Sequence, residues 1–262
     1  MTEAPLAYPE VNAILSRLLD GIRAVLGTDL IGLYLYGSLA GGDFDPRSSD
    51  IDFAAATAAA LSSAQVSGLE RVHRDLWQDG GKWAAKLEGC YVPVDLLRRH
   101  DPLGAACPTV NERQFYTAPL GSDWIVQRHT LRESGVVLAG PDPRELIDPV
   151  PPEAVLGAVL GYLWEWWQPM LAEPSRLSNR EYQAYAVLSM CRVLYTLEHA
   201  QHAIGSKPVS ARWAKATLGS QWASLIDQAS AWPEGEQPER IRETLDLIQY
   251  TVQRSEPYRP SL

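Results

Sequence analysis

The chain has 262 residues, of which 46% are hydrophobic and 21% are charged, which is the composition of a globular protein and excludes a disordered one. Its net charge of −9 argues against a nucleic-acid binder, whose affinity comes largely from basic contacts to phosphate, and suits a cationic small molecule instead. No apolar run approaches the roughly 18 residues of a membrane span, the acidic N-terminus is not a secretory signal, and three scattered cysteines form no disulfide framework. We therefore expect a cytoplasmic protein with reduced thiols.

The first hundred residues alternate between helical and strand patterns. Residues 12–27 place apolar side chains at helical spacing and end at a glycine, which predicts a helix. Two runs of strand-forming residues follow, at 30–37 and 48–56. Residues 60–78 then predict a second helix, and residues 83–97 predict a third strand that bends at its proline. This alternation is typical of an α/β or α+β unit.

The second half of the chain is helical in pattern. The stretch GPDPRELIDPVPPEA, residues 140–154, holds five prolines and predicts a domain boundary. Beyond it an apolar stripe at helical spacing runs from Val155 to Trp167, and further helices are predicted at 182–205, 210–219, 222–230 and 239–253. The predicted fold is therefore α+β, with a small mixed sheet and helices in residues 1–148 and an all-α bundle in residues 149–262.

Two aspartates close the stretch GSLAGGDFDPRSSDID, residues 37–52. Strand side chains alternate between faces, so Asp50 and Asp52 are expected on one face while Ile51 points into the core. Neighbouring carboxylates repel unless a cation lies between them, and Mg²⁺ is typically held by one or two carboxylates and substrate phosphates. The pattern predicts a magnesium site. The blander interpretation, exposed turn carboxylates, fits Asp43 and Asp45.

The glycine and serine that open the same stretch indicate a phosphate site. The predicted strand ends at Gly37 and delivers the backbone N–H groups around Ser38 into a flexible turn, which is a natural anion nest. Glycine also lets a phosphate approach the backbone closely. A phosphate cradle and a metal pair in one short loop together indicate nucleotide chemistry at a bound Mg²⁺.

The order of these motifs resembles a known family. A GS turn after a buried strand, followed by SDID, is similar to the signature of the DNA polymerase β-like nucleotidyltransferase superfamily. Within it the chain resembles the aminoglycoside (3″)(9) adenylyltransferases of the streptomycin/spectinomycin type. The shared motifs are LYGS, SDID, LAGP, LIDPVP, CRVLY and SKPVSARWA, at residues 35–38, 49–52, 138–141, 146–151, 191–195 and 206–214. The resemblance spans most of the chain and implies a polymerase β-like N-terminal domain.

The resemblance also implies a reaction. An ATP- and Mg²⁺-dependent enzyme would transfer AMP to a hydroxyl of an aminoglycoside or aminocyclitol antibiotic, spectinomycin or streptomycin, and release pyrophosphate. Asp50 and Asp52 would hold the metal, while Gly37 and Ser38 would cradle phosphate. We expect a monomer that binds ATP and a cationic acceptor, and neither nucleic acid nor a membrane.

A third carboxylate is implied by the same resemblance, in the strand after the metal pair. It would serve as a further metal ligand or as the base that takes the proton of the attacking hydroxyl. KLEGCYVP places Glu88 there, and LEGCY resembles the family segment better than the rival Asp95 in VPVDLL does. The blander interpretation of Glu88 is an exposed charge at a strand edge.

Two cations of the helical half are assigned to the phosphates of ATP by the resemblance. Arg192 lies in the apolar stretch VLSMCRVLY, where an unpaired charge would be costly, and Lys207 follows a predicted helix end. Arginine suits bidentate phosphate contacts, while lysine acts as a point charge. The alternatives are a helix-surface or ion-paired arginine and an ordinary loop lysine.

Candidate residues for binding the acceptor come from the stretch WEWW and from the start of the next helix. Trp164 and Trp167 fall on the apolar stripe and are expected in the core, whereas Glu165 and Trp166 lie off it. Indoles stack on sugar-like rings and attract cations, and carboxylates pair with amino or guanidino groups. Glu181 is a further acidic candidate.

The acceptor itself stays open at this level. Where the streptomycin-using branch of the family carries an acidic residue, this chain has Tyr182, which leaves a spectinomycin-only activity or a different hydroxyl substrate. Two other functions are compatible with the sequence. One is nucleotidyl transfer to another small molecule or to a protein hydroxyl, and the other is a non-catalytic nucleotide-binding regulator.

Overall fold

The computed structural model describes residues 7–79, 81–101, 104, 106–199, 204–233 and 239–258. The chain forms two compact units, Met1–Pro149 and Val150–Leu262, of which the first is mixed α+β and the second is helical. The helices of the first unit are α1 (Pro9–Leu26), α2 (Gly37–Gly41), α3 (Ser63–Asp79), α4 (Gly81–Ala84), α5 (Val94–Arg98), α6 (Asp123–Ser134) and α7 (Pro143–Leu146). Its strands are β1 (Leu30–Leu35), β2 (Ile51–Thr57), β3 (Leu87–Pro93), β4 (Cys107–Asn111), β5 (Gln114–Ala118) and β6 (Val136–Ala139).

The strands form one sheet in the order β5-β4-β3-β2-β1-β6. Strand β2 runs antiparallel to β1, with Leu35 opposite Phe53, and parallel to β3, with Asp52 opposite Glu88. The end of β1 and the starts of β2 and β3 therefore meet at one end of the sheet, which we call the carboxylate end.

Both faces of this sheet are covered, because successive strand residues point to opposite sides. Leu33, Leu35 and Phe53 pack in a core that includes the apolar residues of α1 and α3, whereas Tyr34 and Ala54 pack in a second core on the α6 side. Asp52 and Glu88 alternate with residues of the first core, so both carboxylates lie on the α6 side of the sheet.

The second unit is built around one long helix. Its helices are α8 (Pro152–Tyr162), α9 (Arg180–His199), α10 (Lys207–Thr217), α11 (Ala223–Ser230) and α12 (Ile241–Ser255). A π-helical turn, Leu163–Trp167, and two 3₁₀ turns, Gln168–Leu171 and Pro174–Ser178, connect α8 to α9. Helix α9 packs against α8, α10, α11 and α12 and carries much of the buried core. Within the described residues, no helix is long and apolar enough to cross a membrane.

The helices α1, α3 and α8 to α12 and the strands β1 and β2 confirm the elements predicted in those stretches. The third predicted strand, 83–97, is wrong at both ends. Strand β3 is confined to Leu87–Pro93, between the short helices α4 and α5, because proline has no N–H for the ladder and its fixed φ suits the residue before a helix. Strands β4 to β6 and helix α6 were not predicted.

Candidate active site

Asp52 and Glu88 lie side by side at the carboxylate end of the sheet. They pair in register on the parallel strands β2 and β3, and neighbouring strands are about 4.8 Å apart. The N–H of Tyr36 donates to the C=O of Asp52 at 3.1 Å, which ties the end of β1 to the start of β2. Both acidic side chains are half-buried.

Asp50 joins this pair, but not for the predicted reason. Strand β2 begins at Ile51, so Asp50 lies just outside it, and strand alternation does not fix its side chain. Its Oδ1 instead accepts a hydrogen bond from Lys86 Nζ at 2.9 Å, an ion pair in which the two side chains are 39% and 36% exposed. The N–H of Ile51 donates to the C=O of Lys86 at 2.7 Å, so backbone and side chain both link the starts of β2 and β3.

The electrostatics of Glu88 record how closely these groups approach. Burial is the main cause that raises the pKa of Glu88 to about 8. The negative charges of Asp50, Asp52 and Glu112 contribute to this rise, and the positive charge of Lys86 opposes it. A carboxylate with such a pKa is a candidate proton acceptor near neutral pH. The rival Asp95 lies in α5, beyond the other end of β3, and is exposed. The structure therefore brings Glu88, and not Asp95, to the aspartates.

The position of Gly37, just after β1 and against Asp52, requires a residue without a side chain. It has a φ of +66° and begins the five-residue helix α2, so the turn predicted as flexible is a short helix. A Cβ at this position would lie 2.0 Å from Asp52 Oδ2. The absence of a side chain at Gly37 therefore leaves the room that the carboxylate of Asp52 fills. Ser38 follows and is half-buried, and its C=O accepts the N–H of Asp43 at 3.0 Å.

The remaining acidic residues of this stretch are loop carboxylates, as predicted. Asp43 and Asp45 lie between α2 and β2. Asp45 forms an ion pair with Arg47 at 2.6 Å. Hydrogen bonds from the side chain and the backbone N–H of Arg47 lower the pKa of Asp45. Asp45 thus forms its contacts within the loop and not at the carboxylate end of the sheet.

The donor set at the carboxylate end fits a hard divalent cation. Asp50, Asp52 and Glu88 offer carboxylate oxygens, the ligands that Mg²⁺ prefers. In the described part of the chain, no three His, Cys, Asp or Glu side chains converge closely enough to enclose a metal ion, and Asp50 is engaged by Lys86. Coordination by all three carboxylates would therefore require these side chains to move closer together.

A polar network beside these carboxylates was not foreseen from the sequence. The hydroxyl of Tyr36 donates to Gln127 Oε1 at 3.3 Å, and Gln127 Nε2 donates to Asp123 Oδ2 at 3.0 Å. Burial raises the pKa of Tyr36 well above its usual range, and the charge of Asp52 adds to this. The network depends on α6, whose weakly amphipathic sequence gave no helix signal; the aspartate at its start is the one cue the sequence offers.

In the helical unit, the structure brings Arg192 and Lys207 together around Tyr185. Arg192 is half-buried, and its Nε donates to the C=O of Gly205 at 3.3 Å. Lys207 Nζ lies 5.3 Å from the centre of the Tyr185 ring, within the range of a cation–π contact. The positive charge of Arg192 lowers the pKa of Tyr185, against the larger raising effect of burial. Tyr185, which the sequence interpretation missed, also shares a hydrogen bond of 3.0 Å with the hydroxyl of Tyr162.

Gly205 and Ser206, which directly precede α10, hold Lys207 in place. A Cβ at Gly205 would lie 2.5 Å from Ser210 Oγ and 2.8 Å from the ring of Tyr195. Ser206 caps α10, because its Oγ accepts the N–H of Val209 at 3.4 Å. The tight packing at Gly205 and this cap together fix the position of Lys207, the first residue of α10.

The candidate acceptor residues lie on and beside the π-helical turn. Trp166 is half-buried, donates through Nε1 to the hydroxyl of Tyr182 at 2.8 Å, and has the Arg176 guanidinium 4.3 Å from its ring centre. Glu165 and Glu181 are exposed. The predicted core role of the other two tryptophans agrees with the structure, since Trp167 is fully buried and Trp164 packs against the core while partly exposed.

Comparisons with known proteins agree with this architecture. Residues 145–255 match the family model for the C-terminal domain of aminoglycoside adenylyltransferases. The chain is 26% identical over 265 residues to the aminoglycoside (3″)(9) adenylyltransferases of Escherichia coli and Shigella flexneri, covering 96% of this chain and 95% of each relative. It also resembles a crystal structure of spectinomycin adenyltransferase AAD(9) from Enterococcus faecialis with ATP and spectinomycin. That match has a TM-score of 0.73 at 16% identity and covers 92% of this chain and 98% of the other.

The structural likeness shows that the two chains share a fold. The sequence relatives, which match over nearly the full length, identify the chain as an enzyme of the nucleotidyltransferase class.

Proposed function

We propose that the protein is an ATP- and Mg²⁺-dependent adenylyltransferase that transfers AMP to a hydroxyl of an aminoglycoside or aminocyclitol antibiotic and releases pyrophosphate. The observation that carries the proposal is the pairing of Asp52 with Glu88 on adjacent strands, with Asp50 beside them and Gly37 against Asp52. The names of the sequence relatives, aminoglycoside (3″)(9) adenylyltransferases, support the substrate class.

In this proposal the carboxylate end of the sheet performs the chemistry. Asp50, Asp52 and Glu88 would hold Mg²⁺, which when bound stabilises charge on the attacking and leaving oxygens. The acceptor oxygen attacks the α-phosphorus of ATP while the bond to the bridging oxygen of pyrophosphate breaks. Glu88 would also take the proton of the attacking hydroxyl, a role for which its place beside Asp52 at the start of β3 suits it.

Four further residues are assigned to the phosphates of ATP. Gly37 and Ser38 would contact phosphate oxygens through the backbone at the start of α2. Arg192 and Lys207 would neutralise triphosphate charge, which a single magnesium ion does not fully offset. Their support is their closeness: Arg192 Nε donates to the C=O of Gly205, two residues before Lys207, and Lys207 Nζ lies 5.3 Å from the centre of the Tyr185 ring.

The acceptor is proposed to be a cationic small molecule bound by Glu165, Trp166 and Glu181. Two exposed carboxylates and an indole suit an aminated ring. Tyr182 lies at the position where the streptomycin-using branch has an acidic residue. Its hydroxyl accepts a hydrogen bond from Trp166 and provides no negative charge. We therefore rank spectinomycin before the doubly guanidinylated streptomycin. We also propose a monomer in the cytoplasm, where ATP is available.

One experiment tests the proposal. The purified protein would be incubated with ATP, Mg²⁺ and a panel containing spectinomycin, streptomycin and other aminoglycosides, and products followed by mass spectrometry and pyrophosphate release. We expect one acceptor to gain the mass of an AMP group, Asp50→Ala and Asp52→Ala to lose this activity, and Asp43→Ala to keep it.

The same panel separates the alternatives. Near-normal activity in both Asp50→Ala and Asp52→Ala would refute the proposed chemistry. AMP transfer to a protein or metabolite, but to no antibiotic, would change the acceptor and leave the chemistry intact. ATP binding without pyrophosphate release on any acceptor would favour the non-catalytic regulator.

A further inference from the structure

Lys86 occupies a particular place at the carboxylate end of the sheet. It immediately precedes β3, and its C=O accepts the N–H of Ile51 at 2.7 Å. Its Nζ lies 2.9 Å from Asp50 Oδ1. A backbone hydrogen bond and an ion pair thus hold the ammonium group where β2 and β3 begin, one residue away from Leu87 and two from Glu88.

This ammonium group is set against a surplus of negative charge. The negative charges of Asp50, Asp52 and Glu112 raise the pKa of Glu88, and the positive charge of Lys86 lowers it. Closely spaced carboxylates are unfavourable unless a cation lies among them. In the metal-free protein Lys86 provides such a cation, in direct contact with one of the carboxylates assigned to the metal.

The contact is open enough to be exchanged. The side chains of Lys86 and Asp50 are 36% and 39% exposed, and ion pairs with this much solvent are weak. A lysine also carries its charge on a flexible stem that can move away from a partner. A divalent cation that binds several carboxylate oxygens at once would therefore compete successfully for Asp50.

We propose that Lys86 is a built-in counter-ion whose ammonium group holds Asp50 in the metal-free protein and is displaced when a divalent cation binds at Asp50, Asp52 and Glu88. The proposal rests on the metal assignment in the proposed function. Lys86 and the divalent cation would compete for Asp50, and this competition would set the metal affinity. Lys86 keeps the acidic cluster together before the metal arrives and lowers the affinity for the free ion.

The test uses Mn²⁺ alone as the probe, titrated into the full-length protein and followed by isothermal titration calorimetry and by loss of the free-ion electron paramagnetic resonance signal. Lys86→Met should bind Mn²⁺ roughly twofold to fivefold more tightly than the wild type, the size expected for a partly exposed ion pair. Lys82→Met is the matched control: Lys82 is exposed, its Nζ lies 4.5 Å from the centre of the Trp83 ring, and its loss changes the net charge equally. The control should bind Mn²⁺ as the wild type does.

A second measurement separates a counter-ion from a purely structural lysine. In urea unfolding with a chelator present, Lys86→Met should be less stable than the wild type, and saturating Mn²⁺ should remove most of this difference. Equal or weaker Mn²⁺ binding by Lys86→Met, with wild-type binding that is lost in Asp52→Asn, would overturn the role of Lys86 and leave the metal site standing. No Mn²⁺ binding by either protein would overturn both.

Discussion

Gly37→Ala is the substitution that most directly probes how the carboxylate end of the sheet is assembled. The new methyl group would lie 2.0 Å from Asp52 Oδ2, whereas ordinary contact begins at 3.4 Å. The carboxylate or the backbone must therefore move by about 1.4 Å, which is 3.4 minus 2.0 Å. The alanine would also have to adopt a φ of +66°, which costs roughly 1–2 kcal/mol for a residue with a Cβ.

These two effects have different signatures. The backbone strain lowers stability, and the displacement of Asp52 lowers the rate, because a misplacement of about 1 Å at reacting groups can cost on the order of 100-fold. Gly42→Ala separates them. Gly42 ends the same short helix with a φ of +77°, and a Cβ there meets nothing within 4 Å. It carries the strain without the clash.

The assays are urea unfolding and AMP transfer at saturating ATP and acceptor. Both variants should lose similar stability, but Gly37→Ala should lose on the order of 100-fold in kcat while Gly42→Ala loses little. Mn²⁺ affinity should fall in Gly37→Ala only. If the two variants retained the same activity and the same Mn²⁺ affinity, the contact between residue 37 and Asp52 would have no part in the site.

Three other predictions concern pH and packing. Because the folded-state pKa of Glu88 is raised from 4.5 to about 8, the folded protein retains a proton that the unfolded chain releases. The stability of the metal-free protein should therefore fall as pH rises from 4.5 to about 8. In Glu88→Gln, the urea midpoint should depend less on pH over this range. Burial lowers the pKa of His73 from 6.5 to about 3, so stability should be lost as pH falls between those values, by at most about 1.4 kcal/mol per pH unit, and His73→Phe should remove this slope in acid titrations followed by circular dichroism. Gly205→Ala should destabilise by about 1–3 kcal/mol through overpacking and raise the KM for ATP; Gly157→Ala, where a Cβ meets nothing within 4 Å, should do neither.

The parts of this site that could be predicted from sequence are those set by local pattern. The buried strand before Gly37 and the alternation around Asp52 are both properties of a few consecutive residues. The structure agrees with the alternation, and β1 ends at Leu35, two residues before the predicted end. Asp50 shows the limit of such an argument. Strand β2 begins at Ile51, three residues later than predicted, so Asp50 lies outside it. The side chain of Asp50 is instead positioned by Lys86, which lies 36 residues away in sequence.

Long-range register explains most of what was missed. The approach of Glu88 to Asp52 depends on the parallel pairing of β2 with β3, which periodicity within either strand does not specify. The β4–β5 hairpin was missed because its turn has no glycine or asparagine at the two left-handed positions. Glu112 and Arg113 occupy them, with φ of 48° and 59°, against the usual preference of such turns. Tyr185 was missed since its helical pattern is that of any core aromatic residue.

The charge distribution gives the two proposed substrates opposite requirements. A protein with a net charge of −9 and an acidic cluster at the end of its sheet attracts a cationic acceptor over a distance of about one Debye length, and it repels ATP for the same reason. In the proposed function, binding of the nucleotide would then depend on local positive charge: a metal at the carboxylates, and the pair Arg192 and Lys207 in the helical unit. Lys86 belongs to this local charge as well, because it offsets the carboxylates before any metal is bound. Under the proposed function, the acidic surface would therefore favour the cationic acceptor, while a few cations at fixed positions would bind the triphosphate.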